Sequence, residues 1–86
     1  MATSKGQKLL RKLLAGPKNV RFGDVVACAE AFGFRLDRVS GSHQICVHAE
    51  VREILNLQNV KGKAKPYQVK QLLDLIERYD LRSDDE

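Results

Sequence analysis

The chemistry-bearing residues of this chain gather in two short stretches. "RVSGSHQICVHAE", residues 38–50, contains both histidines, His43 and His48, and "KGKAK", residues 61–65, contributes Lys61, Lys63 and Lys65. An imidazole titrates near neutral pH, so it can act as general base in one step and general acid in the next. RNA brings its own nucleophile, the 2′-OH. One proton-transfer group plus cations that hold the phosphate therefore suffice to cleave it. His43, directly after Gly41-Ser42, is the candidate for proton transfer. The lysines lead into a helix expected to start at Pro66, whose N-terminus adds backbone N–H groups and a partial positive charge. Neither feature is specific by itself: a lone histidine more often packs or sits exposed, and lysines often only solvate a surface. On strict alternation His43 shares a face with Ile45 and Val47, the more apolar side of its strand. That argues for a structural position, unless a rim position or a bulge re-aims it. His48, on the opposite parity, reads as a surface residue.

Other chemistries fall away on spacing. "KGKAKPYQ" lacks the Walker pattern, and no paired carboxylates suggest a glycosidase. No Cys, His or carboxylate completes a tetrahedral set with the two histidines, so neither metal nor cofactor is expected. His43 and Cys46 lie three apart on one strand and point to opposite faces, which rules out a nucleophile–base pair. Cys28 and Cys46 read as two reduced, buried thiols of a cytosolic protein rather than a disulfide.

The elements that must position these residues follow from periodicity. The chain has 86 residues, 43% hydrophobic and 30% charged, enough for one small domain. Residues 4–15 read as a basic helix, with Leu9, Leu10, Leu13 and Leu14 on one side, ended by Gly16-Pro17. Phe22, Val25, Val26, Ala29 and Phe32 mark a second helix over about 22–32, with Gly33 following it. "FRLDRVS", "HQICVHAE" and "REILNLQNV" read as three strands of an antiparallel meander, turned first at Gly41-Ser42. After the lysine-rich loop, Pro66 opens a last helix with a stripe of Val69, Leu72, Leu73 and Ile76. The expected fold is α+β, in the order α-α-β-β-β-α, with helices on one face of a small three-stranded sheet and the other face open. The domain is expected over residues 1–81 and an acidic, disordered tail over 82–86.

Charge is unevenly distributed about the net +4. Lys5, Lys8, Arg11, Lys12, Lys18 and Arg21 precede any acidic residue, and residues 61–70 hold four lysines without an acid. Two basic segments around a near-neutral middle suit a polyanion binder. No apolar run approaches the roughly 20 residues needed to cross a bilayer. The N-terminus lacks the apolar core of a secretory signal, so a cytoplasmic location without membrane contact is expected.

"GFRLDRVSGSHQICVH" resembles the signature of the HicA toxin family, in which a helix, Gly-Phe and a strand precede a Gly-Ser-His that opens the second strand. Gly33-Phe34, Gly41, Ser42 and His43 occupy those places, and "KAKPYQVKQLLDLIERYDL" resembles the closing helix of a longer HicA-like branch. The resemblance covers about residues 20–81, leaving the 4–15 helix as an addition. It implies a double-stranded-RNA-binding-domain-like fold and metal-independent endoribonuclease activity on mRNA. His43 would be the catalytic acid/base, Gly41 would permit the turn, and Ser42 would orient the imidazole or a phosphate. It also implies neutralisation by a HicB-like antitoxin and a higher-order toxin–antitoxin complex. Many small members carry Pro-x-His after the third strand. "LNLQNVKGK" has no histidine there, so a second proton-transfer group is not identified. The alternatives are a module of the same fold that binds RNA without cutting it, or a degenerate toxin acting as an antitoxin-binding corepressor. Intact RNA after prolonged incubation would mark the first, and failure to bind RNA at low salt the second.

Overall fold

The computed structural model describes residues 4–83. Helix α1 (Lys5–Ala15) starts where Ser4 Oγ accepts the Gln7 N–H at 3.1 Å, satisfying one of the donors a helix start leaves unpaired. Its apolar stripe is narrower than expected. Leu13 is fully buried and Leu9 and Leu10 are partly buried, but Leu14 is 61% exposed. Helix α2 (Phe22–Ala31) buries Phe22, Val25, Cys28 and Ala29. Helix α3 (Pro66–Arg78) opens with Pro66, whose missing N–H costs nothing there. It buries Val69, Leu72, Leu75 and Ile76, so the stripe runs through Leu75, with Leu73 only partly covered.

Between α2 and α3 lie β1 (Arg35–Ser40), β2 (His43–His48), β3 (Val51–Val60) and β4 (Lys63–Ala64), an antiparallel sheet in the order β1-β2-β3-β4. The α-α-β-β-β-α order holds, with one correction. The lysine-rich segment is not a free loop. Lys61 and Gly62, with φ of 52° and 84°, turn the chain as a tight hairpin, the pattern of a type I′ turn. Asn59 Oδ1 accepts the Gly62 N–H at 2.7 Å and locks the turn. Lys63–Ala64 then pairs back on β3, and Arg21 bridges Lys63 from the other side.

Helices α2 and α3 pack on the face of β3 that carries Leu55 and Leu57, both fully buried, while α1 packs mainly on α2 and touches α3. Each such leucine is worth about 1.5–3 kcal/mol of transfer free energy. The helix-facing side of β2 is carried by Cys46, opposite Leu55. Both cysteines are free and buried, and burial pushes the Cys28 thiol up to about 12. Burial, with Glu30 nearby, raises Cys46 as well. At the C-terminal end Ser83 is buried against Gly6; the rest of the expected tail, residues 84–86, and residues 1–3 lie outside the described residues. Among the described residues no helix is long and apolar enough to cross a membrane.

Candidate active site

Gly41, at φ +59°, is the first central residue of the β1–β2 hairpin, and Ser42 after it keeps negative φ. This is the type II′ pattern that glycine favours. The turn puts Ser40 opposite His43, Arg38 opposite Ile45 and Gln58 opposite His43 on the next strand. Residues directly opposite in a ladder project to one face, as do residues two apart along a strand. Cys46, Leu55 and Leu57 face the helices, so His43, Ile45, Arg38, Asn56 and Gln58 face away from them. His43 does share a face with Ile45, but that face is the open one. Ile45 is only 8% exposed yet lies outside the main core cluster, because its neighbours on the open face cover it.

Arg38, Val39, Ser40, His43, Ile45 and Asn56 line a shallow cavity of about 520 Å³ there. His43 is half-buried, with Nδ1 2.9 Å from Asn56 Oδ1. An amide oxygen only accepts, so Nδ1 carries the hydrogen and donates it. The neutral ring then keeps its lone pair on Nε2. Asn56 therefore selects the tautomer and fixes the ring plane. Ser42 does not hold the imidazole; its Oγ accepts from Gln58 Nε2 at 3.3 Å. Gln58 is itself anchored, its N–H donating to Oε1 of the buried Gln68 at 2.7 Å, which ties the first turn of α3 to β3.

Arg38 and Asn56 were not singled out from the sequence, though the signal for Arg38 was present. Across a two-residue turn, position 38 falls on the same face as 43 and 45. Asn56 required the β2–β3 register, which no local pattern supplies.

The lysines are less tightly gathered. Lys63, paired with Val60, lies on the open face. Strand spacing and rise place it about 12 Å from His43, Cα to Cα. Lys61 sits at the tip of the turn, and Lys65 precedes α3 with its Nζ 5.9 Å from the centroid of the exposed Tyr67 ring.

His48 is not a surface residue. Its Nδ1 accepts the Glu50 N–H at 3.0 Å and its Nε2–H donates to the Phe32 carbonyl at 3.0 Å. Its ring meets Phe34 edge-on at 5.1 Å. Both nitrogens are committed, so this histidine pins the end of α2 to the β2–β3 turn. Among the described residues no group of three His, Cys, Asp or Glu side chains could hold a metal ion.

Three helices, with α2 and α3 on one face of an antiparallel sheet and the opposite face open, define a small α+β protein with a double-stranded-RNA-binding-domain-like fold. Residues 22–77 match the family model described as HicA toxin of bacterial toxin-antitoxin, and the chain belongs to that family. The family comprises toxins of toxin–antitoxin pairs and is known for ribonuclease activity. Searches of curated proteins and of solved structures returned no match.

Proposed function

We propose that this protein is a toxin-type endoribonuclease that cleaves mRNA without a metal, with His43 as its general base. The observation that carries the reading is the 2.9 Å bond from His43 Nδ1 to Asn56 Oδ1 on a face that also presents Arg38. With Nδ1–H engaged, Nε2 is free to take the proton of a ribose 2′-OH. The 2′-oxygen then attacks the adjacent phosphorus and expels the 5′-oxygen, which takes a proton from water in this open dish. The products are a 2′,3′-cyclic phosphate and a 5′-hydroxyl end. Arg38 offers a planar fork of donors to the phosphoryl oxygens as negative charge builds on them. Lys61, Lys63, Lys65 and Ser42 hold the flanking backbone. A HicB-like antitoxin in the cytoplasm, alone or in a larger complex, neutralises the toxin by covering this face.

General acid–base assistance is typically worth about 10²–10⁴-fold in rate. His43→Ala should therefore lose RNA cleavage by that order while retaining its fold and its affinity for RNA. The measurement is cleavage of labelled RNA in EDTA, with the product ends identified by phosphatase and kinase treatment. Wild-type rates from the purified variant, or 5′-phosphate products, would sink the assignment.

A further inference from the structure

We infer a second backbone-binding site for single-stranded RNA, formed by Arg21 and Lys18 at the junction of α1 and α2. It is joined to the His43 dish across the open face by Lys63. The inference rests on the ribonuclease reading above and extends it to how the substrate lies on the protein.

Arg21 bridges Lys63, and Lys63 pairs with Val60, which lies two residues beyond Gln58, the partner of His43. Arg21 is thus a one-residue extension of the sheet past β4. It is held there by backbone bonds on either side, from the Phe22 N–H to the Gly62 carbonyl and from the Ala64 N–H to the Val20 carbonyl, both 3.0 Å. Partners across a ladder share a face, so Arg21 and Lys63 both fall on the side that carries His43. Strand spacing and rise put Arg21 about 16 Å from His43, with Lys63 between them. A single strand crossing β3 and β4 would meet these cations in succession.

The row ends at a cavity of about 520 Å³ lined by Lys12, Gly16, Lys18, Asn19, Arg21 and Asp24, among others. Its charges are unequally committed. Lys12 Nζ lies 2.9 Å from Asp24 Oδ2, a buried oxygen for which this cation is the one partner among the described residues. Lys12 is therefore occupied in neutralising Asp24. Lys18 and Arg21 are exposed, and among the described residues no carboxylate pairs with either of them, or with Lys61 or Lys63. Free cations in line, on a fixed backbone and leading away from a proton-transfer group, match what a phosphodiester backbone requires. This gives the α1 region, outside the matched 22–77 segment, a function beyond packing.

The test uses the full chain carrying His43→Ala, so that binding is read without cleavage. A fluorescent single-stranded RNA longer than the track is titrated at several salt concentrations. Adding Lys18→Gln and Arg21→Gln should weaken binding and flatten the plot of log affinity against log salt by about 1.4, at about 0.7 per cation lost. A control with Lys70→Gln and Arg82→Gln removes the same charge elsewhere and should leave the slope unchanged. The charge-preserving pair Lys18→Arg and Arg21→Lys should keep the original slope, which separates charge from folding. In an active His43 background, the Gln pair should slow cleavage of the long RNA and leave kcat on a dinucleotide intact. An unchanged slope in the Gln pair, or an equal loss in the control, overturns the site. Loss of slope in a protein that never cleaves RNA leaves the site standing and removes only the ribonuclease reading.

Discussion

At the scale of single residues, two histidines five positions apart have opposite fates because of what their ring nitrogens meet. His48 spends both nitrogens on backbone groups, whereas His43 spends one on an amide oxygen and has no partner for the other among the described residues. On the reading of His43 as general base, Asn56 is a positioning residue whose neutrality matters. Asn56→Asp would place a carboxylate against Nδ1–H and favour the imidazolium. The rising limb of the kcat/KM pH profile should move to higher pH. Asn56→Leu should lower kcat with little change in RNA affinity. A pH profile that does not move in Asn56→Asp would show that the bond plays no part in turnover.

At the scale of elements, Gly33 carries more than the end of a helix. Its φ of +94° lies outside what side chains ordinarily adopt, and a Cβ there would come within 2.7 Å of His48 Nε2. The glycine therefore lets the chain leave α2 and leaves the space in which His48 caps the Phe32 carbonyl. Gly33→Ala should destabilise the protein by about 1–3 kcal/mol through backbone strain alone, with displacement of His48 adding to it. Urea unfolding monitored by circular dichroism measures the loss. A midpoint equal to wild type would mean that the backbone relaxes freely at this junction.

For the whole molecule, α3 is tied to the sheet at both ends. Gln68 binds β3 through its side chain at the start of the helix, and Tyr79 and Arg78 reach Glu53 of β3 at the end, at 2.6 and 2.5 Å. Arg78 also pairs with Asp74. The Tyr79 hydroxyl, then Glu53's own backbone N–H and then Arg78 hold the Glu53 carboxyl below its ordinary value of 4.5. A carboxyl depressed in the folded state contributes stability that is present above the unfolded value and lost as pH falls through the folded one. Wild type should therefore exceed Glu53→Gln in stability at pH 7, and the two should converge as pH drops below about 4.5. Thermal melts from pH 7 to pH 3 test this. A constant gap across that range would assign the effect to packing.

The elements themselves were legible in the sequence because each rests on a local rule. Leucine periodicity marks α1 and α3, alternation at Leu55 and Leu57 marks β3, and Gly41-Ser42 marks the first hairpin. The position of His43 on its strand was equally legible, since a two-residue turn fixes parity. What alternation could not say was which side of β2 meets the helices. Ile45 and Val47 look like the buried side, yet Cys46 faces the core, because Leu55 opposite it already does. The conversion of the lysine loop into a paired hairpin, and the meetings of Asn56 with His43 and Arg21 with Lys63, join segments 13 and 42 residues apart in the chain. Sequence alone determined the helices, the hairpin turn and the proton-transfer candidate, all set by neighbours a few positions away. Only the packed sheet decided which face the histidine takes and which cations share it, because register between strands is settled by the core they close over.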